Sequence, residues 1–423
     1  MKKLILSFAL IFSLVSASFA DNGFTHRFFE IKVDVPVSVS NNLISLTDVF
    51  QKVVVVDLPK IADSLPDSGA SIKADVAPTI RIGVDIPRGL ILGVNIGVEA
   101  DASVGLSKDI FDFIGHGNDG KTEIKQNTSN TYADLFAYAA IDAGWNTKQS
   151  RLKVTGSAFS SLGHLDAGDT YVKVYSNDDK SGFEAKVDAK LYSPVDYSAG
   201  FNDTQALLSN LGSNMGFDIG VEYQKDLLKF LTVGGTVRMP LKPSTLNMLS
   251  AVTNDMEYSF SFDEMLNGSS SEDNDDDEDE NTGSTEENNE SKDFIQKAVV
   301  LDTPYKIHRP FKVGVSADFH PFGSLLTTSG YLGLGVRHPF ATNKNETQAY
   351  IDYSVAGRFS LWNILSFEAS HSRMDEIFKN QFAIELNIRL VEVDAGVSFQ
   401  STSFAKSFEG AGVGAFVTVC IGL

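Results

Sequence analysis

Long runs of two-residue alternation constrain this chain more than any other feature. In FFEIKVDVPVSVS, Phe29, Ile31, Val33, Val35, Val37 and Val39 are apolar, with Glu30, Lys32, Asp34, Ser38 and Ser40 between them. In LILGVNIGVEADASVGL the even positions run apolar from Leu90 to Leu106, while the odd ones include Gly93, Asn95, Gly97, Glu99, Asp101 and Ser103. Successive side chains of a strand point to opposite faces, so this pattern puts one face in an apolar medium and the other in a polar one. The pattern returns at Ile72 to Ile86, Phe183 to Leu191, Phe217 to Tyr223, Phe311 to Phe319, Leu332 to Val336, Ala349 to Phe359, Phe382 to Ile388 and Val391 to Phe399. Val417, Val419, Ile421 and Leu423 end the chain the same way.

Two architectures alternate like this. A soluble β-sandwich hides its apolar faces in a core, but its strands average about 5–6 residues. Several runs here exceed ten residues, and a strand needs only about 9–11 to cross a bilayer. The polar faces carry both signs of charge and many glycines, as a crowded lumen would. The expected fold is therefore all-β: a transmembrane antiparallel β-barrel with short helices in its loops. Counting every alternating segment gives seventeen strands, an odd number that would leave the two ends on opposite sides. Setting aside Met256 to Phe262 leaves sixteen at most, and because Thr170 to Ser176 is also weak an even count of about fourteen is equally open.

The connections fit that topology. Short turns are expected at Pro87-Arg88-Gly89, Asn146 to Ser150, Lys225 to Phe230, His320 to Leu325, Trp362-Asn363 and Leu390. Long excursions alternate with them at Asn41 to Ala70, Ser107 to Asn130, Pro194 to Met215, Lys242 to Thr303 and Ser401 to Gly410. Short inner turns and long outer loops are the barrel rule.

Residues 1–20 read as a secretory signal peptide. Lys2 and Lys3 precede the apolar run Leu4 to Val15, and Ser18-Phe19-Ala20 supplies the small residues of a cleavage site. The mature barrel then spans 21–423. Cys420 is the single cysteine, which excludes a disulfide within the chain and a lipid-anchored cysteine after the signal. The formal net charge is −20, but fourteen acids against one base, Lys292, lie between Asp263 and Asp293 and account for −13 of it. The rest carries no basic footprint for nucleic acid. Residues 264–303 are expected to form an acidic low-complexity external loop inside the barrel domain, solvated and too charged to cover a core.

Site chemistry in the catalytic sense is absent from the pattern. GAGVGA, Gly410 to Ala415, mimics a dinucleotide-binding loop, but a strand follows it and the chain ends soon after. Asp273, Asp275, Asp277 and Asp279 suggest a calcium loop, yet the sixth and twelfth positions are Glu278 and Ser284 instead of glycine and glutamate. The seven histidines never pair at helical or hairpin spacing. His320-Pro321-Phe322 and His338-Pro339-Phe340 fall at opposite ends of adjacent strands and cannot share an ion. His371-Ser372 are strand neighbours and face opposite sides. No catalytic residue, metal or cofactor is expected, and the chain is not expected to be an enzyme.

The outer loops carry helical pieces with apolar faces. SKDIFDFIGHG offers Ser107 as cap, Ile110, Phe111, Phe113 and Ile114 as a patch, and Gly115 or Gly117 as stop. DTQALLSNLGS repeats the design with Leu207, Leu208 and Leu211, and DLPKIADSL does so again. These helices either pack on one another as a lid or line a hydrophobic capture pocket.

With these features in place the sequence resembles the FadL-type outer-membrane transporters of long-chain fatty acids, above all their divergent spirochaete relatives. GFDIGVEY (216–223), GGTVRMPLKPSTL (234–246) and RPFKVGVSADFHPF (309–322) carry the likeness as strand-and-turn patterns. The resemblance implies a fourteen-stranded barrel, an N-terminal hatch plugging the lumen and lateral release of a hydrophobic ligand through the wall. The family's Asn-Pro-Ala hatch signature is missing, so a plug would be built from Asn41 to Ala70.

The expected function is transport of hydrophobic or amphipathic molecules, foremost long-chain fatty acids, across the cell outer membrane. Phe111, Phe113, Ile114, Leu207, Leu208 and Leu211 would capture the tail, and lumen cations Lys73, Arg81, Lys186 and Lys190 would meet a carboxylate. Alternatively these cations bridge Asp75, Asp85, Glu184 and Asp188 across the lumen. Outer-membrane lipid, a hydrophobic small-molecule ligand and the barrel-assembly machinery are the expected partners of a monomer. The competing functions are a porin for small polar solutes and a surface adhesin or structural barrel.

Overall fold

The computed structural model describes residues 28–260 and 296–423, apart from 44, 46–56, 68, 87, 118–122, 128–130, 169, 177–180, 198–211, 341–346 and 389. Residues 1–20, expected from the sequence to be a signal peptide, and most of the acidic segment lie outside the described residues.

A closed antiparallel barrel of 14 wall positions forms the body. The wall runs β1 (Phe29–Asn41), then β2 (Ala70–Val76) and β3 (Thr79–Asp85) end to end, then β4 (Leu90–Leu106). It continues through β6 (Tyr132–Asn146), β7 (Ser150–Asp166), β10 (Gly216–Leu228), β11 (Leu231–Lys242) and β14 (Phe311–Phe319). The last six are β15 (Leu326–Arg337), β16 (Gln348–Leu361), β17 (Leu365–Met374), β18 (Ile377–Asn387), β19 (Val391–Ser401) and β20 (Val413–Gly422). β20 pairs back onto β1, from Glu30 opposite Gly422 to Val39 opposite Val413, so the wall has no free edge.

The alternation becomes two environments. Ile80, Ile82, Leu92, Val94 and Ile96 point outward from β3 and β4 and stay exposed, Ile96 at 58% and the outward Ile141 of β6 at 65%. Val315, Leu332, Ile351, Val355, Phe382, Ile384 and Val397 repeat this around the wall. A soluble protein would bury such a belt; a barrel crossing lipid presents it to hydrocarbon. Inward positions instead hold buried polar and charged groups, among them Asp134, Asp142, Asp218, Asp352, Glu385 and Gln400. Among the described residues no helix is long and apolar enough to cross a membrane, so any crossing is made by strands.

The turns that close the hairpins at one end are short, as expected, and both ends of the sheet meet there through reciprocal backbone bonds between Phe29 and Leu423. The opposite end carries the long connections. Five strands there leave the wall: β5 (Glu123–Asn127), β8 (Tyr171–Ser176), β9 (Ser181–Ser193), β12 (Ser244–Phe260) and β13 (Val299–Ile307). They pair in the order β5–β8–β9–β12–β13 and rejoin the barrel where His164 to Asp166 of β7 meet Lys190 to Tyr192 of β9. The fourteen-strand count therefore holds and sixteen does not. Met256 to Phe260 and Tyr171 to Ser176 alternate because they belong to this outer sheet.

Phe136, Phe159, Leu246 and Ile307 form one apolar cluster that seats the base of the outer sheet in the barrel mouth. Helix α1 (Leu58–Ser64), capped by Asp57, packs against α2 (Lys108–His116). A Cβ at Gly115 would stand 2.8 Å from the Leu58 carbonyl oxygen, so glycine permits this close helix contact. The described part of the candidate plug, Asn41 to Ala70, thus stands at the long-loop end, anchored by Asn42 donating to the Gly69 carbonyl.

Candidate ligand passage at the wall interruption

β2 and β3 are one wall strand broken at Ala77-Pro78. β1 and β4 keep the same register on both sides of the break: Val37 faces Val76 and Asp34 faces Thr79, while Ala100 faces Val76 and Gly97 faces Thr79. Continuing that register puts Pro78 opposite Val35 and Pro36 opposite Ala77. Proline has no N–H to give to a ladder, so two prolines at adjacent register positions on facing strands interrupt the β1 pairing there. Val98 still donates to the Pro78 carbonyl, which holds the broken strand against β4.

An apolar cavity of about 530 Å³ opens at this point. Its lining mixes both faces of the wall. Ile80, Ile96, Ala139 and Ala158 belong to the outward face, while Tyr138 and Phe159 belong to the lumen face. Small outward residues on β6 and β7 make the space. Gly97 completes it, because a Cβ there would lie 2.7 Å from the Tyr138 ring and 2.8 Å from the Pro78 carbonyl.

Tyr138 separates that cavity from charge. On its lumen side the Arg309 guanidinium lies 4.4 Å from the Tyr138 ring centre. Arg309 donates to Glu99 (2.5 and 3.0 Å), to Asp218 (2.8 Å) and to Ser157 (3.0 Å). Arg238 adds a second cation on Glu99 at 3.3 Å. Glu99 lies beside the break, on the β4 stretch between Gly97 and Ala100.

Toward the long-loop end the lumen is crossed by ion pairs. The two-residue turn Asp375-Glu376 between β17 and β18 has both residues at positive φ, 47° and 71°, the geometry of a type I′ hairpin. Its side chains reach inward. Lys312 meets Asp375 at 2.9 Å, Lys73 meets Glu376 at 3.0 Å, and Asp352 accepts the Asp375 backbone N–H at 2.9 Å. Arg337 reaches Asp101 at 3.4 Å, and Tyr132 donates to the same carboxylate at 3.0 Å. Toward the short-turn end a polar chamber of about 300 Å³ remains, lined by Glu30, Lys32, Arg81, Arg151, Lys153 and Glu222 among others.

The candidate residues separate into distinct places. Lys73 and Arg81 lie on the inward face, with partners other than Asp75 and Asp85. Lys73 pairs with Glu376, and Arg81 with Glu30 and Asp142. Lys186 and Lys190 are not lumen cations: β9 runs in the outer sheet, where Lys186 pairs with Asp188 at 3.1 Å. On that sheet the Tyr171 hydroxyl, 2.5 Å from Glu184, holds the Glu184 carboxyl below its ordinary range, aided by Lys173. Phe113 and Ile114 do not form an open capture patch. They pack with Ile110 onto Ile124, Val172 and Val174, so α2 covers the outer sheet, with Phe111 half-buried beside them. Leu207, Leu208 and Leu211 lie outside the described residues.

These features define a class: a closed β-barrel with a lipid-facing belt, a polar lumen crossed by ion pairs and an apolar breach in its wall. By sequence, a family of unknown function, DUF5723, matches residues 26–395, and the chain belongs to that family. No curated protein matches the sequence. Among solved structures, a deltaS2 mutant of the TodX monoaromatic hydrocarbon channel superposes with a TM-score of 0.43 at 10% identity, covering 98% of this chain and 94% of that one. A FadL homologue from Pseudomonas aeruginosa gives 0.42 at 8% identity, covering 93% and 88%. The translocator domain of the autotransporter NalP from Neisseria meningitidis gives 0.36 at 7%, covering 95% and 90%.

Proposed function

We propose that this barrel sits in an outer membrane and passes hydrophobic or amphipathic small molecules, long-chain fatty acids among them, sideways between its interior and the bilayer. The observation that carries this reading is the apolar cavity at Ala77-Pro78, lined from both faces of the wall. A greasy tail would have to desolvate buried ion pairs to travel the length of this lumen, at several kcal/mol for each ion removed from its partners. Passing through the breach it meets Ile80, Ile96, Ala139 and Phe159 instead. Arg309, behind Tyr138, supplies a cation within reach of an acid head group, and its present partners Glu99 and Asp218 keep it in place.

The test is uptake of a radiolabelled long-chain fatty acid by cells carrying the protein. Ala139→Trp fills the cavity from outside the lumen and is expected to lower uptake at least tenfold, about 1.4 kcal/mol in the rate-limiting barrier. Tyr138→Ala removes the partition and is expected to raise it. Both variants must keep the heat-modifiable gel mobility of a folded barrel. Uptake unchanged in both would refute passage through the wall.

The polar chamber at the short-turn end favours a second reading, a diffusion channel for small polar solutes. That reading requires steady ion conductance in planar bilayers that Ala139→Trp leaves untouched.

A further inference from the structure

Three side chains far apart in sequence converge at the long-loop end of the lumen. Asp134 comes from β6, His164 from β7, and His338 follows β15 on a distant part of the wall. All three are buried, at 7%, 3% and 7% exposure. His164 Nδ1 lies 2.6 Å from Asp134 Oδ1, and His338 Nε2 lies 3.2 Å from Asp134 Oδ2. The two imidazoles meet edge to face with ring centres 5.4 Å apart. Among the described residues this is the one grouping of three such side chains whose ligand atoms all lie within 4.8 Å of one another.

We propose that Asp134, His164 and His338 bind a first-row divalent metal ion of the zinc class. Two imidazoles and one carboxylate are a borderline-soft donor set suited to zinc, cobalt, nickel or iron rather than to magnesium or calcium. Ligand atoms about 2.0–2.1 Å from a tetrahedral ion stand roughly 3.3 Å from one another. The present spacing of 2.6 and 3.2 Å on the two Asp134 oxygens therefore needs only side-chain rotations to admit the ion. Without metal the same groups satisfy one another, each histidine hydrogen-bonded to one carboxylate oxygen.

The surroundings supply an outer partner for the ring nitrogen that does not bind the ion. His164 Nε2 lies 3.1 Å from the Tyr305 hydroxyl, and the two rings stack at 5.0 Å. When an ion replaces the Nδ1 proton now shared with Asp134, His164 can give an Nε2–H to the Tyr305 hydroxyl, the outer-shell arrangement usual for metal-bound histidine. Tyr305 belongs to β13 and stacks in turn on Tyr192 of β9. His338 holds its place with a positive φ of 44°, and its carbonyl accepts from Thr347. An ion here would staple the β6–β7 hairpin to the end of β15 across the mouth, and would seat the outer sheet through Tyr305.

The test uses the full chain folded in detergent and stripped with chelator, with cobalt(II) as the probe. One cobalt per chain with visible ligand-field bands of tetrahedral intensity is expected, displaced by zinc. His164→Ala and His338→Ala should each abolish the bands while keeping heat-modifiable mobility. Tyr305→Phe keeps every ligand and should weaken binding by about tenfold or more, as loss of an outer-shell partner does. It serves as the folded control should the histidine variants fail to fold. X-ray absorption of the zinc form should show two imidazoles in the coordination sphere. Wild-type protein that binds no cobalt, affinities unchanged by these substitutions, or an all-oxygen sphere would each overturn the proposal.

Discussion

Arg309→Met is the substitution on which the reading of the lumen is most exposed. The side chain is 5% exposed and meets two carboxylates, one hydroxyl and an aromatic face. Methionine preserves much of its apolar stem and removes all of the charge. Glu99 keeps Arg238 at 3.3 Å, so the loss falls chiefly on Asp218, a carboxylate only 4% exposed. Removing one partner of a buried pair costs about 3–5 kcal/mol because the remaining charge stays behind unpaired. The surviving Arg238 contact places the expected loss near the lower end, about 3 kcal/mol. Arg309→Met combined with Asp218→Asn removes the stranded charge and should recover a large part of that loss. Urea unfolding from lipid vesicles would measure it, with tryptophan emission as the signal. Trp145, on the outward face of β6, and Trp362, exposed in the turn after β16, are the two tryptophans of the chain and would report the change of surroundings. A single variant within about 0.5 kcal/mol of the parent, the range of an ordinary surface change, would refute the claim that this cluster braces the lumen.

Two further outcomes follow from the geometry of the long-loop end. Asp375→Ala with Glu376→Ala frees Lys73 and Lys312 from the inward turn, and planar-bilayer recordings should show conductance well above that of the parent; equal conductance would mean the turn does not obstruct the lumen. β12 and β13 both run outward toward the acidic segment, so a protease added to intact cells should cut between residues 264 and 295, and cutting only after the outer membrane is broken would reverse the assigned sidedness.

The barrel was legible because its signal is repetitive and local. Each wall strand states its own two faces, and the short turns at Trp362-Asn363 or Pro87-Arg88-Gly89 state which ends pair. The outer sheet misled the reading of Lys186 and Lys190 for the same reason: Ala185, Val187 and Ala189 alternate whether the apolar face meets lipid or α2 and its neighbours. Periodicity records that a face is apolar and is silent about what covers it. The breach carries a local signal in the sequence, since Pro78 interrupts the run from Ile72 to Ile86 and Pro36 sits inside another. Arg309 and Glu99 are separated by 210 positions, and His164 and His338 belong to different hairpins. Their juxtaposition is made by closure and barrel curvature, which no window along the chain contains.

That closure sets the order of assembly. β1 finds one of its two neighbours only in β20, so every hairpin formed earlier still leaves two raw sheet edges exposed. Contacts of such long range are the slowest to form, because the intervening chain must be brought together before they yield anything. An incomplete chain of this kind is a curved template open to any strand that passes. It must be sheltered until its final residues arrive, and the bonds between Phe29 and Leu423 are the seam that ends the need for shelter.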